Sequence, residues 1–135
     1  MSSTNPSIDS TLQLLRDVRR TILRLHKALL DFEKIEYEIV HGKIRNSSEF
    51  LQLVIGDEWF NWLHPISQYI VQVDEVLYSK EPIAEAQIHS LLEQARSLLQ
   101  PNQEGTILEQ RYDYAIQREP AIALMHIEIS RLLHQ

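Results

Sequence analysis

Residues 15–39 read LRDVRRTILRLHKALLDFEKIEYEI. Within this stretch Leu15, Val18, Ile22, Leu25, Leu29, Phe32, Glu36 and Ile39 recur at alternating steps of three and four. That spacing predicts one long amphipathic helix with a single buried seam. Its flanks extend the helix over residues 8–41, and Gly42 is the expected stop. One member of the seam is a carboxylate. An unpaired buried carboxylate costs several kcal/mol, so Glu36 is expected to have a cationic partner.

The rest of the chain extends the same pattern. With 135 residues, 44% of them hydrophobic, the chain makes one domain with a real core. Three glycines, and no Asn-Gly or Asp-Gly pair, argue for helices over hairpins. Residues 1–7 are polar and read as a flexible leader without a signal peptide, with Ser7 as N-cap. A short helix is expected over 49–55. A longer one spans 59–78, with Leu63, Ile66, Ile70, Val73 and Leu77 on one stripe and Pro65 near its start. A third follows over 82–99 with Pro82 in its first turn. A fourth spans 106–133, bent at Pro120, with Leu108, Arg111, Ala115, Arg118, Ile122, Met125, Ile129 and Leu132 as its seam. Short links between long helices predict an all-α four-helix up-and-down bundle, with a short extra helix between helices 1 and 2.

Composition bounds the function. A chain without cysteine has no disulfide, thiolate catalyst or cysteine-based zinc site, and is compatible with the cytoplasm. A formal net charge of -6 disfavours nucleic acid and anionic membranes as partners. No run approaches the roughly 20 apolar residues of a membrane span. There is no P-loop, no G-x-S-x-G, no H-E-x-x-H and no dinucleotide fingerprint, so no cofactor is expected.

Five constellations remain. In an up-down bundle the end of helix 1 lies level with the start of helix 4, which makes Arg111 the natural partner of Glu36; such a pair fixes register or floors a polar pocket. Glu38 and His41 stand three apart, the spacing used twice in carboxylate-bridged metal bundles, but in this chain it occurs once. Asp74 is expected to meet Arg20 or Arg24 across the bundle as a boundary salt bridge. Trp59, Phe60, Trp62 and His64 span more than half a helix circumference, so part of that segment either packs beneath a loop or forms an exposed interaction patch. Finally, Arg19 and His26 lie on one side of helix 1, beside Arg16, Arg20, Arg24 and Lys27, or else on a solvated face.

Two resemblances attach to these residues. The Arg19–His26 spacing, with six residues between, resembles the motif of HEPN-type ribonucleases, which implies a helical bundle handling phosphate and protons with that pair; in this chain the pair lies on an earlier helix than in that family. The pattern Phe50-x-x-Leu53, Asp57-x-x-Phe60-x-Trp62-Leu63-x-Pro65-x-Ser67 and Asp74-Glu75 resembles small all-helical bacterial proteins of no assigned activity. The resemblance covers about residues 20–78 and implies a bacterial helical domain. The expected function is therefore a non-enzymatic interaction or dimerisation module, cytoplasmic, binding a protein partner or itself. The alternatives are a HEPN-like ribonuclease or nucleotidyltransferase-partner bundle using Arg19 and His26, and a small-ligand or metal pocket at the Glu36/Arg111 end.

Overall fold

The computed structural model describes residues 6–134, which form helices and connections without a strand. Most of the expected leader, residues 1–5, lies outside the described residues. The first helix, α1, spans Pro6–His41 and already includes Ser7, so it begins at or before the expected cap. Its 36 residues make a rod of about 54 Å. It ends as the sequence predicts, at Gly42 with φ +87°, whose N–H returns to Glu38 O at 3.0 Å.

Leu15, Val18, Ile22, Leu25 and Leu29 are fully buried along α1. Beyond Leu29 the seam departs from the expected line. Glu33 is fully buried, Phe32, Glu36 and Tyr37 are half-buried, and Ile39 is 74% exposed. The cause is helical pitch. A strict three-four repeat slips about 20° per heptad around a straight α-helix. A step of four restores the line, so Leu29, Glu33, Tyr37 and His41 form one row along the later half of α1. That row faces a new neighbour, because Tyr37 packs on Trp59 and Phe60 at ring-centroid distances of 5.6 and 5.8 Å.

The connection after Gly42 leads into α2 (Ser47–Gly56), capped by Asn46, whose side chain accepts from Glu49 N at 2.8 Å. A 3-10 segment follows over Glu58–Leu63, then α3 over His64–Leu77. The expected continuous helix over 59–78 is thus split at proline. Pro65 has no N–H to give to Asn61 O, so the His64 N–H serves that carbonyl in the tighter 3-10 pattern. The third helix, α4, spans Glu85–Leu98 and starts three residues later than expected. Pro82 lies outside it while Ile83 packs on the core, and the Gln87 side chain accepts from Ala84 N at 3.0 Å.

Pro120 breaks the last expected helix outright. The α5 helix spans Ile107–Arg118 and α6 spans Pro120–Leu133, with Glu119 extended at φ -121° and ψ 108°. The residue before a proline is pushed out of the helical region, and proline is well placed at a helix start. The Glu119 side chain then caps the Ala121 N–H. The buried line along α5 and α6 runs through Tyr112, Ala115, Ile122, Ile129 and Leu133; the expected seam residue Arg118 instead lies with its guanidinium carbon 3.8 Å from the Tyr114 ring centroid.

The α1 rod is the spine against which α3, α4, α6 and the 3-10 segment pack. Along it Arg19 meets Asp74 while Tyr37 meets Phe60, and Arg24 meets Glu128 while Glu33 meets Arg111. Tyr69 ties α3 to α4 through a 2.8 Å bond to Leu91 O, and Arg96 ties α4 to α6 by donating to Leu133 O. No helix among the described residues is long and apolar enough to cross a membrane.

Of the two arrangements expected for the aromatic segment Trp59–His64, the structure shows packing inward and not an exposed patch. Phe60 is fully buried and Trp62 only 7% exposed, because the 3-10 turn swings both rings inward against α1 and α2. Phe60→Ala is therefore expected to lose about 3–5 kcal/mol in urea denaturation, as core aromatics do. A loss within about 0.5 kcal/mol would return Phe60 to the surface.

Candidate functional site

Where the end of α1, the 3-10 segment and the start of α5 meet, the surface opens into a cleft of about 720 Å³. Its walls are Trp59, Trp62, Pro65, Ile107 and Leu108, with Glu33 and Arg111 at one side. The local sequence dictates these placements. Asp57 starts the 3-10 turn by accepting from Trp59 N at 2.9 Å. Thr106 and Glu109 close a reciprocal capping box at the start of α5, at 2.8 and 3.2 Å, and this puts Ile107 and Leu108 in its first turn. Gly105 permits that closure, since a Cβ there would stand 2.2 Å from Glu109 Oε1.

The carboxylate that enters the core is Glu33, not Glu36. Arg111 Nη2 donates to Glu33 Oε1 at 2.7 Å and to Oε2 at 3.0 Å. The Glu33 side chain has 0% exposure and that of Arg111 33%. Arg111 thus does meet α1, but its partner sits one turn earlier than the expected Glu36, in line with Leu15 about five turns before it. Glu36 stays half-buried and forms no ion pair among the described residues. Loss of hydration pushes the Glu33 carboxyl above its ordinary range; Arg111 opposes this without cancelling it, and the charge of Glu36 adds to the rise. The Trp62 indole lies near enough to favour the charged carboxylate, without completing a hydrogen bond of ordinary geometry.

Two further groups share this wall. The indole Nε1 atoms of Trp59 and Trp62 are shut from solvent and have no acceptor. Among the described residues no other buried side-chain nitrogen or oxygen is left in that state. Such orphaned donors are rare in folded chains and call for a physical reason.

The other expected sites resolve differently. Asp74 pairs with Arg19, through both Nε and Nη2, not with Arg20 or Arg24. Arg20 turns back to Asp17 and Arg24 reaches Glu128 on α6, because both lie farther round α1 than the α3-facing line. Arg19 is thus committed to a structural ion pair. His26, two turns on, is half-buried, and desolvation lowers its pKa. Glu38 does not face His41: its Oε2 accepts from Ile44 N at 2.8 Å and anchors the loop after α1. The His41 ring packs on Tyr37 and Trp59, with centroids 4.5 and 5.6 Å away. Among the described residues no group of three or more potential ligands could hold a metal ion. His64 uses its ring Nε2 on Val54 O at 2.9 Å, stapling α3 to α2.

One buried polar pair has no counterpart in the sequence reading. The hydroxyl of fully buried Tyr112 lies 2.8 Å from His126 Nδ1, joining α5 to α6 across the proline break. Burial raises the Tyr112 pKa and lowers that of His126, so both stay neutral near pH 7. The chain matches no protein-family model, no curated protein and no solved structure.

The Glu33–Arg111 contact has two measurable consequences. Arg111→Leu leaves a carboxylate in the core without its cation and is expected to lose about 3 kcal/mol, whereas Glu33→Leu/Arg111→Leu recovers most of it. Additive losses in denaturant titrations would mean no direct coupling. The second consequence concerns pH. The folded chain holds the Glu33 proton to higher pH than the unfolded chain, so stability falls as pH rises above the ordinary carboxylate value of 4.5. Wild type should therefore lose stability relative to Glu33→Gln between pH 4 and pH 7, and a gain over that range would reverse the direction of the Glu33 shift.

Proposed function

We propose that this chain is a non-enzymatic binding module that takes a small, largely apolar ligand in the cleft between the 3-10 segment and α5. We take the fold around it as a four-helix up-and-down bundle, with α1, α3, α4 and the α5–α6 run as its four columns and α2 as the extra helix. The opposite order of the ion pairs and ring contacts along α1 supports that arrangement. The observation that carries the function is a coincidence in space. The one fully buried charge among the described residues and both orphaned indole N–H groups belong to residues of the same cleft. Its volume falls within the ~300–1,000 Å³ of small-molecule sites, and apolar walls with a few convergent polar groups are their usual make-up. A cytoplasmic, bacterial setting is part of this reading, on the cysteine-free composition and the sequence resemblance.

The neutral fluorophore N-phenyl-1-naphthylamine tests it. Saturable binding should quench tryptophan emission, and Ile107→Glu, at a rim position 71% exposed, should abolish it with the fold intact. Binding that is absent, or indifferent to that substitution, would overturn the assignment.

A second reading, self-association, draws on α2. None of its residues is buried, and Leu51 and Ile55, four apart on one face, are 58% and 66% exposed. Sedimentation should then show a dimer that Leu51→Glu dissociates; a strict monomer would remove this reading. Phosphodiester cleavage through Arg19 and His26 draws the least support, since Asp74 occupies the arginine.

A further inference from the structure

The cleft carries more hydrogen-bond donors than acceptors. Arg111 commits Nη2 to Glu33 and lays its guanidinium over the Tyr114 ring at 5.0 Å, and its Nε and Nη1 have no hydrogen-bond partner among the described residues. Both oxygens of Glu33 already accept from that one nitrogen. The indole N–H of Trp59 has no acceptor, and that of Trp62, a residue 93% buried, has only the Glu33 carboxylate near it, without a hydrogen bond of ordinary geometry. The start of α5 adds to this surplus. Its capping box occupies the N–H groups of Thr106 and Glu109, leaving the first-turn amides of Ile107 and Leu108 open, with the positive end of the helix dipole against the cleft. The remaining acceptors, Glu58 and Asn61, stand on the exposed rim.

We propose, building on the reading of this cleft as a binding site, that its ligand is a small amphipathic carboxylate. The free edge of the Arg111 guanidinium and the open amides of α5 receive the anionic head. The apolar body lies against Trp59, Pro65 and Ile107. Glu58 limits the charge accepted: one negative charge is balanced by Arg111 and the helix terminus, whereas a doubly charged phosphate is repelled.

Octanoate and octan-1-ol, titrated while following the emission of the chain's two tryptophans, separate the possibilities. Octanoate should bind about tenfold more tightly than the alcohol, the scale of one charge-assisted contact. Glu33→Gln frees Arg111 from its internal counter-charge and keeps an amide acceptor in place. It should tighten octanoate several-fold and leave octanol unchanged. Glu33→Gln/Arg111→Gln should erase the preference, with circular dichroism confirming that each variant is folded. Equal affinities for acid and alcohol would overturn the carboxylate inference and leave the cleft assignment standing. A preference that survives in the double variant would remove Arg111 from the head-group site. Failure of both compounds and of the neutral fluorophore would overturn both proposals.

Discussion

One nitrogen of Arg111 holds the end of this fold together. The α1 rod runs past its aliphatic row and places Glu33 at full burial, where a charge without a partner would be untenable. The two contacts from Arg111 Nη2 make that position tolerable, and in doing so they set α5 against α1 at one register. The 3-10 segment joins the same contact, because its Trp62 lies beside the Glu33 carboxylate. A hydrophobic pair of similar volume would fill the space. It would not discriminate between neighbouring registers, since leucine tolerates a slip of one turn that a carboxylate and a guanidinium do not.

Around this pair the aromatic residues act as a wedge. Tyr37, Trp59, Phe60 and Phe50 are linked ring to ring from α1 through the 3-10 turn to α2. Lys34 lies over the Phe50 ring at 5.2 Å, on the outer edge of the same group. A regular α-helix would point Trp59, Phe60 and Trp62 to different sides. The 3-10 turn brings Phe60 and Trp62 inward and leaves Trp59 half-buried at the cleft. Pro65 is the chemical reason for that turn, so a single missing N–H shapes one wall of the cleft.

The helices are legible in the sequence wherever one period persists. Leu15 to Leu29 carry the α1 row, Ile66, Ile70 and Val73 carry α3, and Gly42 and Pro120 mark boundaries by simple backbone chemistry. The expectation of an acid inside the apolar row, opposite Arg111, also leads to the right end of the molecule. It selects Glu36 because a heptad is projected along a helix with 3.6 residues per turn, and the slip grows to about 60° by the third repeat, enough to move the buried position from Glu36 to Glu33. The row of fours from Leu29 is already visible as Glu33, Tyr37 and His41. The aromatic segment departs from expectation for a related reason: α-helical angles do not apply where proline enforces a tighter turn. Ion-pair choice is not legible at all. Arg19, Arg20 and Arg24 are alike in sequence, and only the position of α3 selects Arg19 for Asp74.

The break at Glu119–Pro120 gives α5 an independence that a merely bent helix would lack. Its amide ladder begins at a capping box and ends before an extended residue, so no backbone hydrogen bond of α6 depends on α5 remaining folded. Apart from its packing, α5 is moored by the Arg111 and Tyr112 side chains. Twelve residues anchored in this way form a natural unit of local opening, with a free energy set by a few contacts instead of the whole domain. To open, that wall would have to draw Tyr112 and Ala115 out of the core and part Arg111 from Glu33, while the long rod beside it keeps its place.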